Sequence, residues 1–115
     1  MTLVTIYHNP KCSKSRQTLA LLEERDMELR IVPYLESPPS KSELADIVKM
    51  LGVAAADIVR TGEDEYKESG LTADSSENDV LDAIVIAPKL MQRPIVICGD
   101  QARVGRPPES ALEIL

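Results

Sequence analysis

The run His8-Asn9-Pro10-Lys11-Cys12-Ser13-Lys14-Ser15-Arg16 offers a thiol no apolar neighbour to pack against. The commoner fate of a lone cysteine is that of a small buried hydrophobe. Cys98 fits that fate, at the end of the apolar run Ile95-Val96-Ile97 and with no basic residue adjoining it. Cys12 does not. His8 stands four residues before it, and Lys11, Lys14 and Arg16 stand beside it, so the local field is positive on a chain of net charge −6. A cysteine between a strand and the first turn of a helix also meets unpaired backbone N–H groups and the positive end of the helix dipole. Such settings bring a thiol pKa from about 8.5 to roughly 3.5–7.5. The chemistry on offer is nucleophilic attack by a thiolate.

The surrounding residue types narrow that chemistry. His8 is the only histidine, and one His with two distant Cys cannot supply a structural zinc site. Ser15 occupies the place, three residues after Cys12, where a dithiol protein carries its second redox cysteine, so a disulfide at that spacing is excluded. Turnover through Cys12 then calls for an outside thiol or for Cys98, whose strand position argues against its reach.

The elements that must hold this loop are legible on either side of it. Leu3 to Tyr7 is a short β-branched and apolar run that stops at His8-Asn9-Pro10, the punctuation of a strand leaving a sheet. From Ser15 to Glu24, Leu19, Leu21 and Leu22 recur at helical spacing, with Ser13 or Ser15 available as cap. Leu29, Ile31 and Val32 predict a second strand over Glu28 to Pro33, which completes a β-α-β unit. Ser40 and Glu43 form a capping-box signature for a second helix that Gly52 ends. Ala54 to Val59 offers one more short helical turn, and Gly62 to Ser76 reads as a polar surface segment anchored by Tyr66 and Leu71. Val80, Leu81, Ile84 and Val85 predict a helix from Asn78 to Ala87, stopped by Pro88. Ile95 to Cys98 reads as a buried strand, Gly99-Asp100 as a tight hairpin turn, and Ala102 to Val104 as the return strand. Pro107 and Pro108 open a terminal helix carrying Leu112 and Ile114.

This order, β-α-β, then helices, then β-β-α, predicts an α/β fold. It is a thioredoxin-like mixed four-stranded sheet, a single domain over 1–115 with a helical insertion at about 40–88. With 115 residues, 43% hydrophobic and 28% charged, the chain has the composition of one ordinary globular domain. Phe and Trp are absent, so the core draws on aliphatic residues and on Tyr7, Tyr34 and Tyr66. The excess of acid argues against nucleic acid or an anionic membrane as the main partner. The opening residues lack the marks of a signal peptide, no apolar stretch approaches a membrane span, and two unframed cysteines suit a reducing compartment. The expected location is cytoplasmic.

Four segments carry a family resemblance: the Cys12 loop, with its H-x-x-x-C-x-x-S-R pattern from His8 to Arg16; Tyr34-Leu35-Glu36-Ser37-Pro38-Pro39; Arg93-Pro94-Ile95-Val96; and Arg106-Pro107-Pro108-Glu109. In order and spacing they resemble the arsenate reductases coupled to glutathione and glutaredoxin, over nearly the whole chain. The resemblance implies a thioredoxin-like fold with a helical insertion. It also implies that Cys12 attacks arsenate to form a covalent arsenic adduct, that glutathione adds as co-substrate, and that glutaredoxin releases arsenite, with no bound cofactor or metal. It assigns His8 to holding Cys12 as thiolate and Ser15 to a hydrogen bond on the sulfur. The oxyanion falls to Arg60, Arg93 and Arg106, with Arg103 a decoy beside the last. Guanidinium forks match a tetrahedral oxyanion bidentately and offset its repulsion of a thiolate. In thioredoxin-like folds the X-Pro bond before this strand is cis, which would turn Arg93 toward the loop.

The chain ends about where the last helix should, without the extension of full-length arsenate reductases, and so resembles the short branch of the family. More distantly the Cys12 loop resembles the Spx-type regulators, which bind RNA polymerase and switch through a C-x-x-C pair that Ser15 removes here. Two other functions compete with oxyanion reduction. One is a non-enzymatic redox or protein-interaction role on the same scaffold; the other is a glutathione-linked reductase of another substrate, such as a mixed disulfide.

Overall fold

The computed structural model describes residues 3–115; Met1 and Thr2, at the start of the opening run expected to be extended, lie outside them. The chain forms two units. The first, discontinuous, comprises the chain up to Ser37 and from Arg93 onward; the second is Pro38–Gln92. The insertion expected at 40–88 falls inside the second.

The first unit holds the sheet. Strands β1 (Leu3–Tyr7), β2 (Glu28–Val32), β3 (Ile95–Cys98) and β4 (Gln101–Val104) lie in the order β2-β1-β3-β4. β1 pairs parallel with β2 and antiparallel with β3, and β3 pairs antiparallel with β4 across the hairpin turn, where Gly99 adopts φ 63°. The sheet is therefore mixed, as the strand pattern predicts. β1 is flanked on both sides, and alternation along it sends Val4 and Ile6 to one face. There they meet Val96, Leu22 of helix α1 (Ser13–Glu23), and Ala111 and Ile114 of the terminal turn. All six are buried. A fully buried Leu contributes about 1.5–3 kcal/mol through its apolar surface, so this cluster fixes α1, and with it the loop that precedes α1, on the sheet.

Three details depart from expectation. Helix α1 begins at Ser13, with Cys12 rather than a serine at its N-cap position. The terminal segment Pro108–Ile114 is a 3-10 helix and not an α-helix. Cys98 is half-buried, packed on the edge of the cluster, and it lines a surface cavity of about 340 Å³ with Val4, Arg25, Asp26, Met27 and Leu115.

Gly105, after β4, sits where no side chain fits. A Cβ there would lie 2.5 Å from Thr18 Oγ1 and 2.8 Å from Pro94 Cγ. Thr18 is wholly buried and donates its hydroxyl proton to the Lys14 carbonyl at 2.8 Å, so it has little room to yield. Gly105→Ala is expected to cost about 1–3 kcal/mol, as overpacking does, read as a lower midpoint in urea unfolding. A midpoint equal to that of the parent would show that the contact relaxes freely.

The second unit is helical. Helix α2 (Lys41–Leu51) carries both halves of the capping box: the Glu43 N–H donates to Ser40 Oγ at 3.1 Å, and the Ser40 N–H donates to Glu43 Oε1 at 3.1 Å. Gly52 closes it in the left-handed conformation. Helix α3 (Asp64–Ser69) lies within the stretch expected to be a polar surface segment and buries no residue. Helix α4 (Glu77–Ile86), capped by Ser76, buries Val80, Leu81 and Ile84. No helix among the described residues is long and apolar enough to cross a membrane.

Candidate active site

The Cys12 loop is held at both ends by backbone. The His8 N–H donates to the Val32 carbonyl at 2.8 Å, which extends the β1–β2 pairing by one residue. The Cys12 N–H donates to the Asn9 carbonyl at 3.0 Å, and the Cys12 carbonyl accepts the first bond of α1, from Arg16, at 3.0 Å. At an N-cap position, with φ −96° and ψ 123°, the side chain turns toward the open amides of the first helical turn. Those of Lys14 and Ser15 favour a negative sulfur.

The acidity of Cys12 follows from opposing causes. Partial burial pushes the thiol pKa up. The Ser15 N–H, the Arg93 guanidinium and the Lys14 N–H together outweigh it and hold the pKa below the ordinary thiol value. Arg106 approaches the sulfur directly, its Nη2 donating to Sγ at 3.6 Å. The same guanidinium is anchored through Nε, which donates to the Arg93 carbonyl at 2.9 Å. Two of the three expected arginines thus meet at Cys12. The Arg93-Pro94 bond is cis, as the resemblance to thioredoxin-like folds implies, and so is Arg106-Pro107. Arg103 lies along β4 with Nη1 donating to its neighbour Ala102 O at 2.7 Å. Arg60 belongs to the second unit, where its Nε donates to Glu63 Oε1 at 3.2 Å.

His8 and Ser15 are adjacent and buried. His8 Nδ1 lies 2.7 Å from Ser15 Oγ, which also accepts the Asn9 N–H at 3.0 Å. Burial lowers the His8 pKa; Glu23 opposes this and Arg16 reinforces it. The imidazole is therefore neutral at neutral pH, and Ser15 Oγ–H can donate to Nδ1 with the ring proton on Nε2. The hydroxyl of Ser15 is committed to His8 and Asn9, and it is the backbone N–H of Ser15 that faces the sulfur. His8 thus ties the loop to the first turn of α1 through Ser15 Oγ.

Asn9 is a loop residue that sequence reasoning leaves out. It is buried, its Oδ1 accepts the Lys11 N–H at 3.0 Å, and its own N–H and carbonyl make the bonds to Ser15 and Cys12 given above. The signal was present in its Asn-Pro dipeptide, since Asn side chains bond the backbone two residues on. Beside the loop, His8, Asn9, Pro10 and Lys11 face Pro33, Leu35 and Glu36 across a groove of about 200 Å³.

Cys98 pairs with Val4, at the far end of β1 from the loop, whereas Tyr7 pairs with Ile95. Three strand residues rise about 10 Å. A disulfide needs Cα atoms within about 7 Å, so Cys12 and Cys98 cannot join without large movement, and both thiols are free. Among the described residues no group of three His, Cys, Asp or Glu side chains could hold a metal ion.

Comparison with known proteins places this geometry. Residues 7–114 match the profile of the ArsC family. An uncharacterized Escherichia coli protein, YfgD, is 51% identical over 114 residues, covering 97% of this chain and 96% of its own. An arsenate reductase of Neisseria meningitidis serogroup A is 47% identical over 117 residues, with all of both chains covered. Among solved structures, the arsenate reductase from Vibrio cholerae superposes with a TM-score of 0.94 at 47% identity, covering 99% of this chain and 98% of that one.

Proposed function

Because the chain belongs to the ArsC family, we propose that it reduces arsenate to arsenite, with Cys12 as nucleophile and two external thiols as the source of electrons. The observation that carries this reading is the convergence on one sulfur of helix amides, Arg93 and Arg106. A dianionic substrate and a thiolate repel each other, and the arrangement supplies the positive charge that brings them together.

The Cys12 thiolate attacks arsenic and displaces one oxygen as water, giving an arsenic(V)–sulfur adduct. Glutathione adds to the same arsenic with loss of a second water. A glutaredoxin thiolate then attacks the glutathione sulfur, and the electron pair of the broken sulfur–arsenic bond stays on arsenic, which becomes arsenic(III). Hydrolysis returns arsenite and the Cys12 thiolate, and the two external thiols leave as a mixed disulfide. The groove beside the loop, with Lys11 and Glu36 on its rim, has one cation and one anion to offer the charged ends of glutathione. A reducing, cytoplasmic setting would keep such a thiol available.

The test combines turnover with reactivity. Arsenite should form only when arsenate, glutathione and glutaredoxin are all present. In a Cys98→Ser background, iodoacetamide should alkylate Cys12 with a midpoint below the ordinary thiol range, and arsenate should slow that reaction. Absence of arsenite at saturating arsenate, with no protection, would leave the scaffold as a redox or protein-interaction member of the family.

A further inference from the structure

Tyr34 lies in the turn that follows β2, where the Pro33 carbonyl accepts from the N–H groups of Glu36 and Ser37 at 2.9 Å. The ring is wholly shielded from solvent. Its hydroxyl is buried too and makes no bond of full hydrogen-bonding geometry, although Arg93 and Asn9 are the polar groups it faces. A phenol oxygen kept out of water without a completed bond is less favourable than the same ring without the oxygen. Asn9 belongs to the reactive loop, and Arg93 is the arginine that serves it.

We propose that Tyr34 is a positioning residue, its buried hydroxyl bracing the Arg93 guanidinium and Asn9 so that Arg93 is held toward Cys12. A phenol suits both contacts. Its oxygen offers lone pairs to the guanidinium N–H groups, and its proton can go to Asn9 Oδ1, which already accepts from Lys11. Burial raises the pKa of the phenol; the charge of Arg93 opposes the shift and that of Cys12 adds to it, so these groups share one electrostatic environment. The protonated phenol is thus a neutral brace rather than a competing anion beside the thiolate. This role rests on Cys12 being the reactive thiol, whichever oxyanion it reduces.

The experiment is Tyr34→Phe in the Cys98→Ser chain, read by the pH profile of Cys12 alkylation without arsenate. The proposal expects the midpoint to rise by roughly half to one pH unit as Arg93 loses its brace, with the unfolding temperature of the parent retained. In an Arg93→Lys background the same substitution should add little, because the group it acts through is gone. A profile that superposes on the parent's, or a full shift still seen on Arg93→Lys, overturns the proposal. If Tyr34→Phe does not fold, ring-labelled tyrosine NMR decides: the Tyr34 resonance should move on Arg93→Lys, and one that does not move overturns the role. None of these readings requires arsenate turnover, so failure of the reductase assignment and failure of the brace are separable.

Discussion

Cys12→Ser is expected to abolish arsenite formation while leaving the fold intact or slightly more stable. Both halves follow from the position of the residue. At the N-cap of α1, Ser is among the best residues known, and its hydroxyl accepts the helix amides at least as well as a thiol; caps of this kind are worth about 1 kcal/mol. The Lys14 and Ser15 amides that now favour a negative sulfur would become the partners of that hydroxyl. The chemistry does not survive the exchange. A serine hydroxyl stays protonated where the thiol ionises, and oxygen cannot form the sulfur–arsenic bond through which the proposed electron transfer runs. Turnover should fall to the level without enzyme, measured as arsenite formed with glutathione and glutaredoxin in excess, with the urea midpoint equal to or above that of the parent. Residual turnover in Cys12→Ser would move the reactive thiol elsewhere, and Cys98 would be the next to examine.

How far the site was legible can be judged residue by residue. The β-α-β opening, the capping box at Ser40 and the hairpin at Gly99 follow from periodicity and turn chemistry, because each is a local signal. The start of α1 was less transparent. Ser13 and Ser15 are the expected caps by residue type, but the Ser15 hydroxyl is taken by His8 and Asn9, which leaves the cap position to the sulfur. That competition is a contact across the loop, which sequence spacing does not display. The contacts of His8 and Ser15 were hidden for the same reason: the Ser15 hydroxyl is bonded to His8 and Asn9, and burial lowers the His8 pKa. Tyr34 read as packing in a chain without Phe or Trp, and only the burial of its oxygen beside Arg93 and Asn9 sets it apart. The terminal segment took the tighter 3-10 form after a cis Arg106-Pro107 bond, and no residue-level propensity separates that from an α-helix of seven residues.

Arg106 and Arg103 are three residues apart and indistinguishable by type, yet their expected mutational effects differ by orders of magnitude. Arg103 bonds its neighbouring carbonyl. Arg106 spends Nε on the Arg93 carbonyl, which fixes the plane of the guanidinium, and so presents Nη2 to the Cys12 sulfur with little conformational freedom left to lose. An oxyanion in line for attack by that sulfur must lie against the same fork. Removing one preorganised donor from such a site costs roughly 10²–10³-fold in rate, and Arg106→Ala is expected to lose that much in kcat/KM for arsenate. Arg106→Lys should recover little, because one ammonium cannot hold the Arg93 carbonyl and reach the anion bidentately at the same time. Ionisation of the thiol, by contrast, rests chiefly on the Ser15 amide, Arg93 and the Lys14 amide. The alkylation midpoint of Arg106→Ala should therefore rise with loss of the Nη2 bond yet stay below the ordinary thiol value, while arsenate ceases to protect Cys12. Arg103→Ala should change neither. If Arg106→Ala keeps full arsenate protection, the fork serves only the resting sulfur, and the oxyanion must be gathered by Arg93 and the amides of the first helical turn without it.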